Sequence, residues 1–181
     1  MLNLIIPNKE YLETVKSGVR EFVEMPSNFD TYSTKRILQY FKNDFNNYLT
    51  DMEAARKGIG LKIGGVSDTE LWLIENKKFI GLFNLRHRLT DEMMGKGIGH
   101  IGYEIIPSMR QKGYAKAGII LALDYFKNVL KLDKILITCK KNNIPSVKTA
   151  LSIMKLYGGK EAAPIQIENL IKRRFWVNTY S

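Results

Sequence analysis

The sequence predicts one α/β domain over residues 1–181, built on a mixed and strongly twisted sheet. Segments with the alternation or β-branched content of strands are interspersed with segments of helical spacing along the whole chain. The sequence contains neither internal repeats nor low-complexity linkers. A length of 181 residues with 45% hydrophobic and 25% charged residues is typical of a soluble globular domain with a sizeable core.

The first third of the chain predicts one short strand, 2–6, and two helices. Asn8 is a candidate N-cap of the first helix, whose buried face is Leu12, Val15, Val19 and Phe22. After a loop at 25–30, the second helix covers 34–56 with an apolar stripe formed by Ile37, Phe41, Phe45, Tyr48 and Met52. We expect both helices to pack on the sheet, while the edges of three aromatic residues are candidate substrate contacts: Tyr40, Tyr48 and Phe29.

The middle of the chain predicts a glycine-rich connector, 58–65, and then a β-hairpin with strands 70–75 and 78–89. A loop at 91–97 follows. The segment Gly97-Ile-Gly99-His-Ile-Gly102 matches the dinucleotide-binding pattern GxGxxG. That fingerprint must open a helix, whereas here it runs into a strand, so the sequence predicts no NAD site.

The second half predicts strands and helices in alternation. Pro107 ends the first of these strands because it has no N–H for the ladder. Asn143 is a candidate N-cap of the last helix, and Gly158-Gly159 is a typical stop for it. The strands are 100–106, 134–139, one within 160–169, and 170–177; the helices are 115–130 and 143–157.

A turn rich in small and cationic residues joins strand 100–106 to the helix that follows it. Gly113 and the small Ala115 leave backbone N–H groups accessible, and the helix start adds the positive end of its dipole. Arg110, Lys112 and Lys116 contribute full positive charges. The turn therefore predicts a binding site for a phosphate or pyrophosphate.

The segment Arg110-Gln-Lys-Gly113-Tyr-Ala115 resembles motif A of the GNAT superfamily of acyl-CoA N-acyltransferases, Arg/Gln-x-x-Gly-x-Gly/Ala between a strand and a helix. Further segments look like a bacterial subgroup of predicted acetyltransferases: Leu85-Arg-His-Arg-Leu89, Gly99-His-Ile-Gly-Tyr103, Ile135-Leu-Ile-Thr-Cys139, Asn143-Ile-Pro-Ser146 and Gly158-Gly159. The resemblance implies about six to seven strands flanked by about four helices. It also implies a sheet that is splayed between the strand before motif A and the next strand.

The resemblance further implies acetyl-CoA as co-substrate. Its pyrophosphate would contact Arg110, Gln111, Lys112, Gly113, Tyr114, Ala115 and Lys116. Its pantetheine would lie in the splay, where the backbone N–H of Ile105 or Ile106 would stabilise the oxyanion. Asn143 and Ser146 would add cofactor contacts; capping of their own helix is the alternative.

Acyl transfer to an amine also needs a base, because an amine is almost wholly protonated at neutral pH. The candidates are Glu104, directly or through a water, and His100, which strand alternation puts on the same face. The alternative for Glu104 is a solvated charge or an ion-pair partner. For the leaving thiolate, the position of the family's Tyr is Ala150 here, so Tyr157 or solvent is the candidate proton donor.

The chain carries 28 Lys and Arg against 18 Asp and Glu, a net charge of +10 at pH 7. Such a charge suits nucleic acid, an acidic surface or the polyanion coenzyme A. The basic residues are scattered along the chain, which disfavours direct nucleic-acid binding.

Composition also constrains the thiol and the metal chemistry. The single cysteine, Cys139, excludes an internal disulfide and predicts a buried thiol. Two histidines without further convergent ligands predict no metal site. The apolar run at 2–6 is too short for a signal and no run could span a bilayer, so we expect a cytoplasmic protein that does not contact membranes.

The leading hypothesis is transfer of an acetyl group from acetyl-CoA to a primary amine of a small molecule or peptide, in a ternary complex of a monomer or homodimer. Arg86 and Arg88 alternate onto one face of their strand and indicate an acceptor with a carboxylate or phosphate, with surface solvation as the alternative. A catalytically silent acyl-CoA-binding domain is the second hypothesis. A nucleic-acid-binding protein, suggested by the charge alone, is the third.

Overall fold

A computed structural model describes residues 1–25, 32–43, 45–61 and 63–180. Its strands are β1 (Leu2–Ile5), β2 (Asp68–Glu75), β3 (Lys78–Arg86), β4 (Ile101–Ile105), β5 (Lys134–Lys140), β6 (Gly159–Ile167) and β7 (Leu170–Asn178). Its α-helices are α1 (Leu12–Glu24), α2 (Tyr32–Asn43), α3 (Phe45–Lys57), α4 (Asp91–Gly95), α5 (Tyr114–Asn128) and α6 (Ile144–Tyr157). The predicted α/β fold with seven interleaved strands is confirmed.

The strands form two antiparallel sheets, in the orders β1-β2-β3-β4 and β5-β7-β6. The two sheets meet at one point, where the His100 N–H donates to the Leu136 carbonyl at 2.8 Å. A Cβ on Gly99 would lie 2.4 Å from the Leu136 oxygen, so the chain passes too closely there for any side chain. Beyond this point β4 and β5 separate, which confirms the predicted splay.

The number of helices differs from the expectation of about four: the described residues contain six α-helices. The predicted helix 34–56 is two helices, α2 and α3, on either side of residue 44. The predicted loop 91–97 contains α4, for which the Thr90 hydroxyl accepts a hydrogen bond from the Met93 N–H at 3.2 Å. The predicted loop residues 26–30, with Phe29, and the side chain of Phe41 lie outside the described residues.

Each face of the first sheet carries its own hydrophobic core. On one face Phe83 and Ile105 pack with α5 and α6. On the other face Leu82 and Ile106 pack with α1, α2 and α3. Side chains alternate along β4, so Glu104 points to the α1–α3 face, next to α2.

A buried ionic cluster joins α2 and α3 to β2 on the α1–α3 face. Arg36 of α2 forms ion pairs with Glu70 and, at 3.3 Å, with Asp68. Tyr48 of α3 donates its hydroxyl to the same Glu70. Because each buried charge has an opposite charge or a hydrogen bond beside it, the cluster offsets its desolvation and fixes α2 over the sheet beside β4. Tyr48, a candidate substrate contact, is fully buried in this cluster.

Candidate active site

A cleft of about 530 Å³ opens where β4 and β5 separate. Its walls are the two strands, and its ends are the turn before α5 and the first residues of α5 and α6. The cleft is lined by most of the predicted cofactor residues and by the predicted base: Glu104, Ile105, Arg110, Gln111, Gly113, Tyr114, Ala115, Lys116, Asn143 and Ser146. The remaining predicted residues lie outside this lining: Ile106, Lys112, His100, Tyr157, Arg86 and Arg88.

The start of α5 faces the cleft without a capping side chain. Gly113 occupies the N-cap position with φ +85°, a left-handed conformation that glycine adopts without strain. A Cβ on Gly113 would have no neighbour within 4 Å among the described residues. The N–H groups of the first helical turn have no partner within the helix, and Ala115 and Lys116 line the same end of the cleft. This end can therefore bind an anion.

The turn before α5 is held by contacts on its outer side. Lys112 donates from its ammonium to the Ser108 carbonyl at 2.8 Å and does not line the cleft, so its contact with the cofactor stays a prediction. Tyr114 donates its hydroxyl to Glu75 at 2.5 Å, and this bond to a carboxylate raises the pKa of Tyr114. The cleft lining thus keeps two of the three predicted cations, Arg110 and Lys116.

The backbone of β4 distinguishes the two candidate oxyanion donors. The N–H of Ile106 donates to the Ile80 carbonyl of β3 at 3.0 Å and is therefore occupied. Neighbouring residues of an antiparallel strand direct their backbone groups to opposite sides. The carbonyl of Ile105 accepts from the Arg110 Nε at 3.0 Å, so the backbone groups of Ile105 face away from β3 and into the cleft. Of the two predicted donors, only the Ile105 N–H is directed at the cleft.

Glu104 is buried, with 8% of its surface exposed, and is held from two elements. Thr34 of α2 donates its hydroxyl to Oε2 at 3.1 Å. Arg110 donates from its guanidinium to Oε1 at 3.1 Å. Glu104 therefore lies in the cleft wall and is also ion-paired, which was the alternative interpretation from the sequence.

His100 has the environment of a structural histidine. Its Nδ1 accepts the Leu136 N–H at 2.9 Å, and its ring meets Phe126 edge-on, with ring centroids 6.2 Å apart. Burial, together with the nearby positive charge of Arg86, lowers the pKa of His100 to about 4. The position of His100 at the closed end of the splay, with Nδ1 occupied, argues against the predicted role as base.

We expect His100 to make the protein less stable in acid. Unfolding exposes an imidazole with its ordinary pKa of 6.5, whereas the folded pKa is about 4, so the unfolded chain binds the proton first. The free energy of unfolding should therefore fall by up to about 3 kcal/mol as the pH drops through this interval. Urea unfolding at several pH values measures this loss.

A matched variant separates this effect from the titration of carboxylates. In His100→Asn the side-chain oxygen can accept the Leu136 N–H but does not titrate, so the acid-induced loss should be smaller. Equal losses in the two proteins would exclude His100 as the cause.

Tyr157, the predicted proton donor, lies at the wrong end of α6. The cleft is lined by the first turns of α6, as far as Thr149. Tyr157 is the last residue of that helix, about 12 Å further along its axis at the α-helical rise. Helical spacing in the sequence does not show which end of a helix meets a cleft. Tyr157 is not among the residues that line the cleft, and its role as proton donor stays a prediction.

Tyr103 is the cleft tyrosine that the sequence did not single out as a functional residue. Its hydroxyl lies 2.9 Å from the Ser146 Oγ, and its ring stacks on Phe83 with centroids 5.7 Å apart. Burial raises the pKa of Tyr103 to about 12, so it is protonated at neutral pH. Alternation along β4 places it on the face opposite Glu104, and strand alternation was all that the sequence indicated for this residue.

The wall opposite β4 is formed by the end of β5 and the start of α6. Asn143 caps α6 by accepting the Ser146 N–H at 3.3 Å, which agrees with the capping alternative. Cys139 is buried, as predicted, and burial raises the pKa of its thiol. Two cations that the sequence did not indicate, Lys140 and Lys172, also line the cleft.

The two predicted acceptor residues are placed away from the cleft. Arg86 donates from its guanidinium to the Gly99 carbonyl at 3.0 Å and so supports the segment that leads into β4. Arg88 is exposed beyond the end of β3. Neither lines the cleft, so their contact with an acceptor stays a prediction.

Two further findings concern metal ions and membranes. Within the described ranges, no three side chains of His, Cys, Asp or Glu converge as ligands for a metal ion. None of the described helices is both long enough and apolar enough to cross a bilayer.

Comparison with known proteins agrees with this geometry. The model of a family described as an acetyltransferase (GNAT) domain matches residues 19–153. No curated protein matches the sequence.

Several solved structures share the fold. The microcin C7 self-immunity acetyltransferase MccE, in complex with acetyl-CoA and AMP, has a TM-score of 0.66 at 13% identity over 98% of this chain and 92% of its own. RimL, a ribosomal L7/L12 α-N-protein acetyltransferase in complex with coenzyme A, has a TM-score of 0.68 at 10% identity over 99% and 96%. A chimera of the spermidine N-acetyltransferase SpeG from Vibrio cholerae with hSSAT has a TM-score of 0.59 at 16% identity over 98% and 96%. At these identities the likeness establishes the fold.

Proposed function

The chain belongs to the GNAT acetyltransferase family, and we propose that it moves an acetyl group from acetyl-CoA to a primary amine by direct attack in a ternary complex. The observation that carries this proposal is the cleft itself, which joins a helix start without a capping side chain to the edge of β4 that is not paired with β3. The first strand of the chain, β1, and the last, β7, each belong to one of the two sheets that border the cleft. We therefore take residues 1–181 as one acetyltransferase domain.

The two ends of the cleft suit different parts of acetyl-CoA. The diphosphate would accept hydrogen bonds from the start of α5, where Gly113 leaves room and Lys116 adds charge. The pantetheine would extend along β4 and pair with its free edge. Asn143 and Ser146, on the other wall, would limit the width of the channel.

The residues of the cleft support a complete reaction sequence. Glu104, or a water that it holds, accepts a proton from the ammonium form of the acceptor. The amine nitrogen then attacks the thioester carbonyl, and the N–H of Ile105 stabilises the oxyanion. When the intermediate collapses, the C–S bond breaks, and the Tyr103 hydroxyl, on the face opposite Glu104, gives its proton to the leaving thiolate. The attacking nitrogen loses its second proton to solvent, which returns a proton to Tyr103 and leaves a neutral amide.

Replacement of Tyr103 by Phe should slow turnover, because the leaving thiolate then takes its proton from solvent. We expect kcat to fall roughly 10- to 100-fold, below the full range of general acid catalysis because water can substitute. Steady-state kinetics with acetyl-CoA and an accepted amine measures this, with Tyr157→Phe as the matched control. A larger loss in Tyr157→Phe than in Tyr103→Phe would return the role to Tyr157.

The acceptor is an amine, for which SpeG and RimL suggest two classes, polyamines and protein N-termini. Lys140 and Lys172 beside the cleft favour an acceptor that also carries an anionic group. A screen for release of free thiol from acetyl-CoA across polyamines, amino acids, aminoglycosides and peptides tests the function. Turnover on any of these amines supports the transferase.

Two other results of the same experiments would favour the alternatives. Thermal stabilisation by acetyl-CoA without turnover on any amine would indicate a silent acyl-CoA-binding domain. Binding of duplex DNA or RNA with a steep salt dependence, and none of acetyl-CoA, would indicate a nucleic-acid-binding protein.

A further inference from the structure

We propose that Arg110 couples cofactor binding to the base: it pairs with Glu104 in the free protein and moves to the diphosphate when acetyl-CoA binds. The move leaves Glu104 more basic at the moment when the thioester is in place. This inference rests on the proposed function, in which the diphosphate lies at the start of α5 and Glu104 accepts the amine proton.

The free structure shows the first of the two arrangements. The Arg110 guanidinium donates to the Glu104 Oε1 at 3.1 Å and to the Ile105 carbonyl at 3.0 Å. The Arg110 side chain remains 36% exposed, whereas that of Glu104 is 8% exposed. One side of the guanidinium thus contacts a buried carboxylate while the other is open to the cleft, in the turn that leads to Gly113.

A bound diphosphate would compete for this guanidinium. It carries more negative charge than one carboxylate, and its oxygens match the planar fork of arginine. The N–H groups at the start of α5 would hold it within reach of Arg110. Once the guanidinium turns to the phosphate, the carboxylate loses the opposite charge that stabilised its ionised form, so its affinity for a proton rises.

Glu104 itself stays in position during this exchange. Thr34 of α2 is fully buried and donates its hydroxyl to the other carboxylate oxygen, Oε2. The buried ionic cluster of Arg36, Asp68 and Glu70 fixes α2. Loss of Arg110 therefore changes the charge beside Glu104 more than its location.

Among the residues that the structure describes, the other charged groups near Glu104 contact different partners or lie on other walls. On α2, Arg36 is shared between Asp68 and Glu70. Across the cleft, Lys172 donates to the carbonyls of Lys96 and Gly97, and Lys140 lies on β5. Tyr103, the neighbour on β4, points to the opposite face and is protonated at neutral pH. Of these described cations, Arg110 is the one that pairs with Glu104 and that cofactor binding can draw away from it.

Calorimetric titration of the protein with CoA, in buffers of different ionisation enthalpy, tests the coupling by counting the protons taken up on binding. The pH is varied from about 4 to about 8, which brackets the usual carboxyl range. CoA phosphates also titrate near pH ~6, so the informative quantity is the difference between the wild type and Glu104→Gln. We expect the wild type to take up to about one more proton per CoA bound, and to bind CoA more tightly toward low pH.

Two variants from the same turn separate charge near the site from the specific contact. Arg110→Gln removes the guanidinium, so the excess proton uptake expected of the wild type should be absent in this variant. Lys112→Gln also removes one positive charge, but Lys112 contacts Ser108 outside the cleft, so the excess should persist. Excess uptake that persists in Arg110→Gln, or that is equal in the wild type and Glu104→Gln, would overturn the inference.

A second measurement needs no substitution. When the Glu carboxyl carbons of the wild type are titrated by NMR, one carboxyl should titrate at higher pH with CoA bound than without it. Unchanged titration of every carboxyl would overturn the coupling. Failure of the wild type to bind CoA at all would instead remove the proposed function, so the two failures are distinct.

Discussion

Gly113→Glu is expected to lower the affinity for acetyl-CoA roughly 100- to 1,000-fold while the fold is retained. Gly113 forms the N-cap of α5 on the cleft wall, where a Cβ would meet open space among the described residues. A carboxylate there would stand about 4–5 Å from a bound phosphate, and repulsion between unit charges at that distance amounts to about 3–4 kcal/mol at a partly exposed site. Calorimetric titration with acetyl-CoA measures the loss.

Gly113→Gln is the matched control, since it has the same length and no charge. Both variants place a side chain at φ +85°, which costs about 1–2 kcal/mol of stability, so thermal unfolding should be shifted equally in the two. The difference in affinity between them then isolates the charge. If Glu and Gln at this position bind acetyl-CoA equally well, the diphosphate does not lie at the start of α5.

Glu104→Gln is expected to lower the rate of transfer roughly 10²- to 10⁴-fold, the usual contribution of general acid–base catalysis. Glutamine keeps the shape and can still accept from Thr34 and Arg110, but it cannot take a proton from the amine. The affinity for acetyl-CoA should be preserved or increased, because in this variant Arg110 binds the diphosphate without first breaking an ion pair with a carboxylate. Single-turnover kinetics with an accepted amine measures the rate, and calorimetry measures the affinity.

Glu161→Gln is the control for loss of an ion-paired glutamate. Glu161 pairs with Arg173 at 2.7 Å outside the cleft, so this variant should turn over at close to the wild-type rate. The pH profile gives an independent check: the acid-side fall in rate that a carboxylate base produces should be absent in Glu104→Gln. Full activity of Glu104→Gln from about pH 6 to about pH 9 would assign proton removal to solvent.

Features made by one continuous stretch of chain were predictable, since their geometry depends on neighbouring residues. Strand β4, the turn with Gly113 and the start of α5 are consecutive, so the strand–turn–helix arrangement at the proposed anion-binding end of the cleft followed from residue types in order. The helix α4 was missed although Thr90 was available as a cap, because a five-residue helix leaves almost no periodicity to detect.

Contacts between distant segments were not predictable. Whether the N–H of Ile105 or Ile106 is free depends on which of them pairs with Ile80 of β3. Whether Tyr157 reaches the cleft depends on which end of α6 packs beside β5, whereas Tyr103 reaches it because β4 is one of the cleft walls. A shift of one residue in strand register would reverse the first answer, and no local pattern fixes that register.

The sequence by itself determined the α/β fold, the family resemblance and the position of the turn before α5 as a candidate anion site, because hydrophobic period, turn chemistry and charge act locally. Only the tertiary structure decided what each candidate does there. It turned Arg110 toward Glu104, buried His100 against Leu136 and brought Tyr103 to Ser146. The physical reason is that hydrogen bonding and burial, which set basicity and availability, depend on partners that lie far apart in the chain.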